Sequence, residues 1–178
     1  MRKTIFYLCL LLACVACANK SDNGSTQGGA SGETTQTFKE YGFSITAPCV
    51  LEDEPAHAMG NNVYYAGTEN PDDPEKATGY QVVVKELQRG SKGSKDLSQE
   101  TLNGMMSQMN AVGFSNVENV EFSDKKYPGL VANKNQDGSM LRAVMFIKDG
   151  NLIMLTVQSK TDLEQKFEQF THSFKVID

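Results

Sequence analysis

The sequence predicts an α+β fold, a mainly antiparallel β-sheet covered by helices on both faces in an α/β/α sandwich. Short strand-like segments recur along the chain and are parted by tight-turn residues. Two further segments carry apolar residues at helical spacing. The last two strands are apolar on both sides: Leu141, Ala143, Met145 and Ile147 alternate with Val144 and Phe146, and Leu152 and Met154 with Ile153, Leu155 and Val157. Strands of that kind need cover on both sides, and one helix supplies only one.

Residues 1–17 read as a bacterial lipoprotein export signal. Arg2 and Lys3 lead into an apolar run that ends in Leu11-Leu12-Ala13-Cys14-Val15-Ala16-Cys17. A basic start, an apolar segment and a small residue before a cysteine are what the signal peptidase reads, and the cysteine thiol takes the lipid. The apolar run is 14 residues, from Ile5 to Ala18, against the roughly 20 that a membrane span requires. Cys14, with Leu11, Leu12 and Ala13 before it, is the favoured lipidation site, and Cys17 is the alternative. Each buried methylene contributes about 0.8 kcal/mol, so two or three palmitate-type chains hold stably where one does not.

Residues 18–37 hold no large apolar side chain and are rich in Gly, Ser, Thr, Asn and Gln. Such a segment buries too little surface to offset the entropy of ordering and reads as a disordered tether. Its mean span as a coil is roughly 25 Å, and roughly 70 Å when pulled straight. Residues 38–178 then form a single globular domain, long enough for a core of its own. Of 17 basic and 22 acidic side chains, Arg2 and Lys3 leave with the signal, so the exported part carries 15 against 22, a net charge of −7. That balance disfavours nucleic acid as a partner of the domain.

Within the domain, residues 43–47, 63–68 and 80–87 read as three antiparallel strands, the last two parted by Asn70-Pro71-Asp72-Asp73-Pro74. Leu102, Met105, Met106, Met109 and Val112 then form one face of a helix, capped at Asp96 or Ser98 and stopped at Gly113. Strands at 117–122, 130–136, 141–148 and 152–159 follow as a meander, with turns at Tyr127-Pro128-Gly129, Asp137-Gly138 and Asp149-Gly150-Asn151. The second helix starts at a capping box, Thr161 to Glu164, and shows Leu163, Phe167, Phe170 and Phe174 on one face.

Tyr41-Gly42-Phe43-Ser44-Ile45 before Pro48, the helix ending at Gly113, the Gly150-Asn151 hairpin with its apolar return strand, and the close on Ser173-Phe174-Lys175 together resemble the PsbP-like family. The resemblance runs from about Phe38 to Val176 and implies the α/β/α sandwich of that family. It also implies an assembly, binding or accessory role rather than an enzymatic one. Some members of the family bind metal ions, but no residue pattern here carries a ligand site across.

The side chains that bear chemistry are sparse. Cys49 with His57 suggests a thiol nucleophile, but no third orienting group accompanies them, and a buried or loop cysteine is the plainer interpretation. With Cys14 as the anchor, Cys17 is free to pair with Cys49 across the tether. Glu52-Asp53-Glu54 with His57, and Asp72-Asp73 with Glu75, match no metal-ligand spacing and read as solvated loops. Met105, Met106 and Met109 suit core packing better than a soft metal. The loop with Arg89, Lys92 and Lys95 lacks the phosphate-cradling pattern, and His172 reads as a charge near the end of the last helix. No catalytic residue, metal site or cofactor is assigned.

The expected function is therefore a non-catalytic, membrane-tethered module of the bacterial cell envelope. It is held through the lipid to the inner or outer membrane, with the domain outside the cytoplasm, and serves a partner protein of the envelope. The alternatives are a small-ligand or metal carrier and, less favoured, an enzyme using Cys49 and His57.

Overall fold

The computed structural model describes residues 32–54, 62–87, 94–136 and 138–177, the side chains of 62 and 94–99 excepted. The signal and most of the expected tether, with Cys14 and Cys17, lie outside the described residues, as do His57, Arg89 and Lys92. The elements are β1 Thr34–Phe38, a single 3-10 turn Lys39–Tyr41, β2 Phe43–Ala47, β3 Glu52–Asp53, β4 Asn62–Glu69 and β5 Thr78–Glu86. They continue as α1 Ser94–Ala111, β6 Ser115–Phe122, β7 Tyr127–Gln136, β8 Ser139–Lys148, β9 Asn151–Ser159, α2 Leu163–His172 and β10 Lys175–Val176.

The strands form a seven-stranded antiparallel sheet in the order β3-β4-β5-β9-β8-β7-β6 and a three-stranded sheet in the order β1-β2-β10. The expected meander is there, from β6 to β9. Its last turn is set by Asp149 and Gly150, at φ 50° and 81°, between the paired Lys148 and Asn151. Two positive φ values in a two-residue loop match the right-handed twist of the strands.

Both faces of β8 and β9 are indeed apolar and closed. Val144, Phe146, Ile153, Leu155 and Val157 join one core with Phe43, Ile45, Phe167 and Phe170. Ala143, Met145 and Leu152 join the other with Leu102, Met109, Phe114 and Leu130. Each fully buried side chain of this size contributes about 1.5–3 kcal/mol.

The cover, however, corrects the prediction of helices over both faces. Among the described residues two helices serve a seven-stranded sheet, and most of the structure is antiparallel β. On the first face α2 shares the work with the small sheet, whose Phe38, Phe43, Ile45 and Ala47 are all buried there. On the second face α1 contacts β6 and β7. Residues 43–47 therefore do not continue the main sheet. They pair with β1, which reaches Thr34 inside the segment read as tether, and with β10.

Three boundaries also differ from the sequence prediction. Tyr127-Pro128-Gly129 opens β7 instead of making a turn; the chain reverses at 123–126, where Ser123 and Lys126 take φ 61° and 54°. Helix α1 begins at Ser94, so Asp96 and Ser98 lie within it and do not cap it. Asp162, at φ 54° and with no side-chain cap bond, is the N-cap of α2. The Thr161 N–H is taken up by Ser159 Oγ at 3.3 Å, and Glu164 pairs with Arg142 at 2.7 Å, which leaves no capping box.

Candidate functional site

A shallow cleft of about 310 Å³ lies beside β10, lined by Ser123, Asp124, Lys125, Phe174, Lys175 and Val176. Its two walls, about 50 residues apart in sequence, are fixed by the aromatic core beneath. Phe174 sets the β10 side: its ring centroid lies 5.2 Å from those of Phe43 and Phe146 and 5.3 Å from that of Phe122. Just before it, Ser173 Oγ accepts from Thr46 N at 2.9 Å and lies 3.0 Å from Thr46 O, extending the attachment to β2 through a side chain. The other wall is the 123–126 turn, closed by Lys126 N–H to Ser123 O at 3.0 Å and Lys125 N–H to Ser123 Oγ at 3.3 Å. The cleft offers two exposed ammonium groups, on Lys125 and Lys175, above an apolar floor of Phe174 and Val176. The sequence carries no signal for it, because Phe174 falls on a helically spaced apolar face and 123–126 holds no glycine.

Cys49 is a free, half-buried thiol beside β4, so close to Gly67 that a Cβ there would lie 2.8 Å from its Sγ. Burial, and secondarily the Glu69 carboxylate, push the thiol up to about 12. A thiol held protonated is a poor nucleophile, and His57 is outside the described residues. Alkylation of Cys49 by iodoacetamide at about pH 8 should accordingly run at least about tenfold slower than that of a free cysteine, and rise with pH toward 12 as the thiolate forms. Peptide-resolved mass spectrometry checks this; a rate matching free cysteine would contradict the environment described.

The other marked residues are occupied structurally. Met109 is buried in the second core, with Met105 and Met106 packed against it. Glu52 and Asp53 form the short edge strand β3. Asp73 pairs with Lys76 at 3.0 Å, a contact that with the Glu75 N–H holds its carboxyl below the usual range, and Glu75 pairs with Lys160 at 2.6 Å. Among the described residues no group of three or more His, Cys, Asp or Glu is placed to hold a metal. His172 is exposed in the last turn of α2, where a positive charge faces the negative end of the helix dipole.

Two lysines that periodicity alone did not single out are tied into the fold. Lys148 is 4% exposed, and its Nζ donates to the Tyr41 carbonyl at 3.0 Å and to Asp149 Oδ2 at 2.6 Å, pinning the 3-10 turn to the end of β8. Lys166 Nζ donates to Thr78 Oγ1 at 2.8 Å and Ser159 Oγ at 3.2 Å. Its pairing with a serine has the composition of a nucleophilic dyad, but Ser159 and Thr78 are 2% and 0% exposed, so the contact fastens α2 to β5 and β9.

Among the described residues the fold is thus a predominantly antiparallel sheet with a small second sheet and two helices, a PsbP-like architecture. It is similar to the solution structure of cyanobacterial PsbP (CyanoP) from Synechocystis sp. PCC 6803, with a TM-score of 0.58 over 86% of this chain and 98% of that one, at 17% identity. At that identity the likeness is one of fold. No protein-family model and no curated protein matches the chain.

Proposed function

We propose that this chain is a lipid-anchored, non-catalytic binding or accessory module of the bacterial cell envelope, tethered through Cys14, or alternatively Cys17, with its domain outside the cytoplasm. The observation that supports a surface-acting module is the packing of the interior. Phe43, Phe146, Phe170, Ile153 and Leu155 fill one face of the main sheet, and Leu102, Met109, Leu130 and Leu141 fill the other, all nearly fully buried. A small-ligand carrier needs an enclosed pocket with a few converging polar groups; among the described residues the cleft beside β10 is open and shallow.

Affinity capture of the tagged full-length lipoprotein from membranes after mild crosslinking tests the proposal. The same envelope protein should be recovered in replicate preparations and be absent from an untagged control. Recovery of no reproducible partner would count against the module.

A further inference from the structure

We infer that the outer edge of β10 takes up an extended, acidic segment of a partner protein as an added β-strand, seated in the cleft between β10 and the 123–126 turn. This rests on the binding-module proposal and names the chemistry of its partner.

The backbone geometry carries the inference. Lys175 pairs with Ser44 and Val176 with Phe43, and the Ile177 N–H donates to Gly42 O at 3.1 Å. Along an antiparallel edge, alternate residues direct both main-chain groups to the same side. Residues 175 and 177 therefore face β2, and the N–H and C=O of Val176 face the cleft. Among the described residues no strand pairs with β10 on that side. An unpaired donor and acceptor beside an apolar floor are the features that strand addition uses, the main chain giving affinity and the alternating side chains specificity.

Charge selects the occupant. Lys125 and Lys175 are exposed on the two walls, whereas Asp124 is the single acidic lining residue and the adjoining Lys126 is paired with Glu121 at 3.4 Å. A strand with carboxylates on alternate residues meets both ammonium groups. The eight-residue edge strand β6 of the main sheet is built against such pairing: its register is broken between Ser115 and Glu118, and it carries Glu118 and Glu121. Bulges and charges of this kind are how edge strands avoid addition.

The test uses the full lipoprotein in detergent and two end-blocked hexapeptides, one alternating Val and Glu, the other Val and Lys. Amide exchange at Val176 and the dissociation constants are measured. The acidic peptide should slow exchange at Val176 and bind about tenfold more tightly than the basic one. The Lys125→Glu, Lys175→Glu double variant should invert that preference; both side chains are exposed, and an unchanged thermal midpoint shows that it folds. Equal binding of both peptides, binding of neither, protection along β6 instead, or a concentration-dependent dimer without peptide would overturn the inference. If the double variant still captures the wild-type partner from membranes, the cleft is wrong and the module stands. If the wild type captures nothing reproducibly, the module itself falls.

Discussion

Phe146→Ala should lower the stability of the domain by about 3–5 kcal/mol, the usual cost of emptying a phenylalanine site that cannot collapse. Phe146 is fully buried on β8 and lies where three parts of the fold meet. Its ring stacks on Phe122 of β6 at 4.1 Å and on Tyr127 of β7 at 5.9 Å, and meets Phe174 edge-on at 5.2 Å. Through Phe174 the same ring supports β10 and one wall of the cleft. In thermal unfolding the loss corresponds to about 10–20 °C for a domain of this size, a large share of the stability ordinary domains possess. Phe146→Leu, which keeps most of the volume, should retain much of it. A Phe146→Ala midpoint within about 2 °C of wild type would contradict this account of the core.

Gly129→Ala should be nearly as damaging, although it adds a single methyl group. Gly129 pairs with Val120 on one side and Phe146 on the other, so β7 is held by two neighbours and has little freedom to shift. A Cβ at that position would lie 2.4 Å from the Met145 carbonyl oxygen and 3.0 Å from Phe146 Cβ. Because the obstacle is backbone, the cost should reach about 3 kcal/mol or more, at the upper end for overpacking. Gly104→Ala is the internal control. It lies exposed in α1 with nothing within 4 Å of its Cβ position, so the same methyl should there stabilise by about 0.5–1 kcal/mol through helix propensity. Denaturant midpoints of the two variants should move in opposite directions; a shift of the same sign in both would refute the steric argument.

Gly129 also shows where sequence reasoning stops. Tyr127-Pro128-Gly129 has the composition of a turn, yet its glycine is required by close packing on β8 and its proline sits near the start of the strand, where the ladder tolerates it. The real reversal at 123–126 uses Ser123 and Lys126 in left-handed conformations, which composition does not announce. The Thr161-to-Glu164 pattern likewise failed as a capping box because Arg142, distant in sequence, engages Glu164.

What was legible is what local chemistry decides. Asp149-Gly150 makes its hairpin, and the two-sided apolar pattern of β8 and β9 does mark strands buried on both faces. The nature of their cover was not legible. The helical layer expected on one face is shared with a sheet whose β1, Thr-Thr-Gln-Thr-Phe, is mostly polar and whose β10 spans two residues. The cleft, assembled from β10 and a turn far away in sequence, has no local signature at all.

A lipid on an N-terminal cysteine is proposed to hold this domain at a membrane, and growth of the producing cells with radiolabelled palmitate tests that anchor. Wild type and Cys17→Ser should incorporate label, whereas Cys14→Ser and the Cys14→Ser, Cys17→Ser double variant should not, and should keep residues 1–17 uncleaved. Loss of label in Cys17→Ser alone would move the anchor to the alternative cysteine and leave the tether in place. Label on the double variant, or an unlabelled wild type, would contradict the proposal.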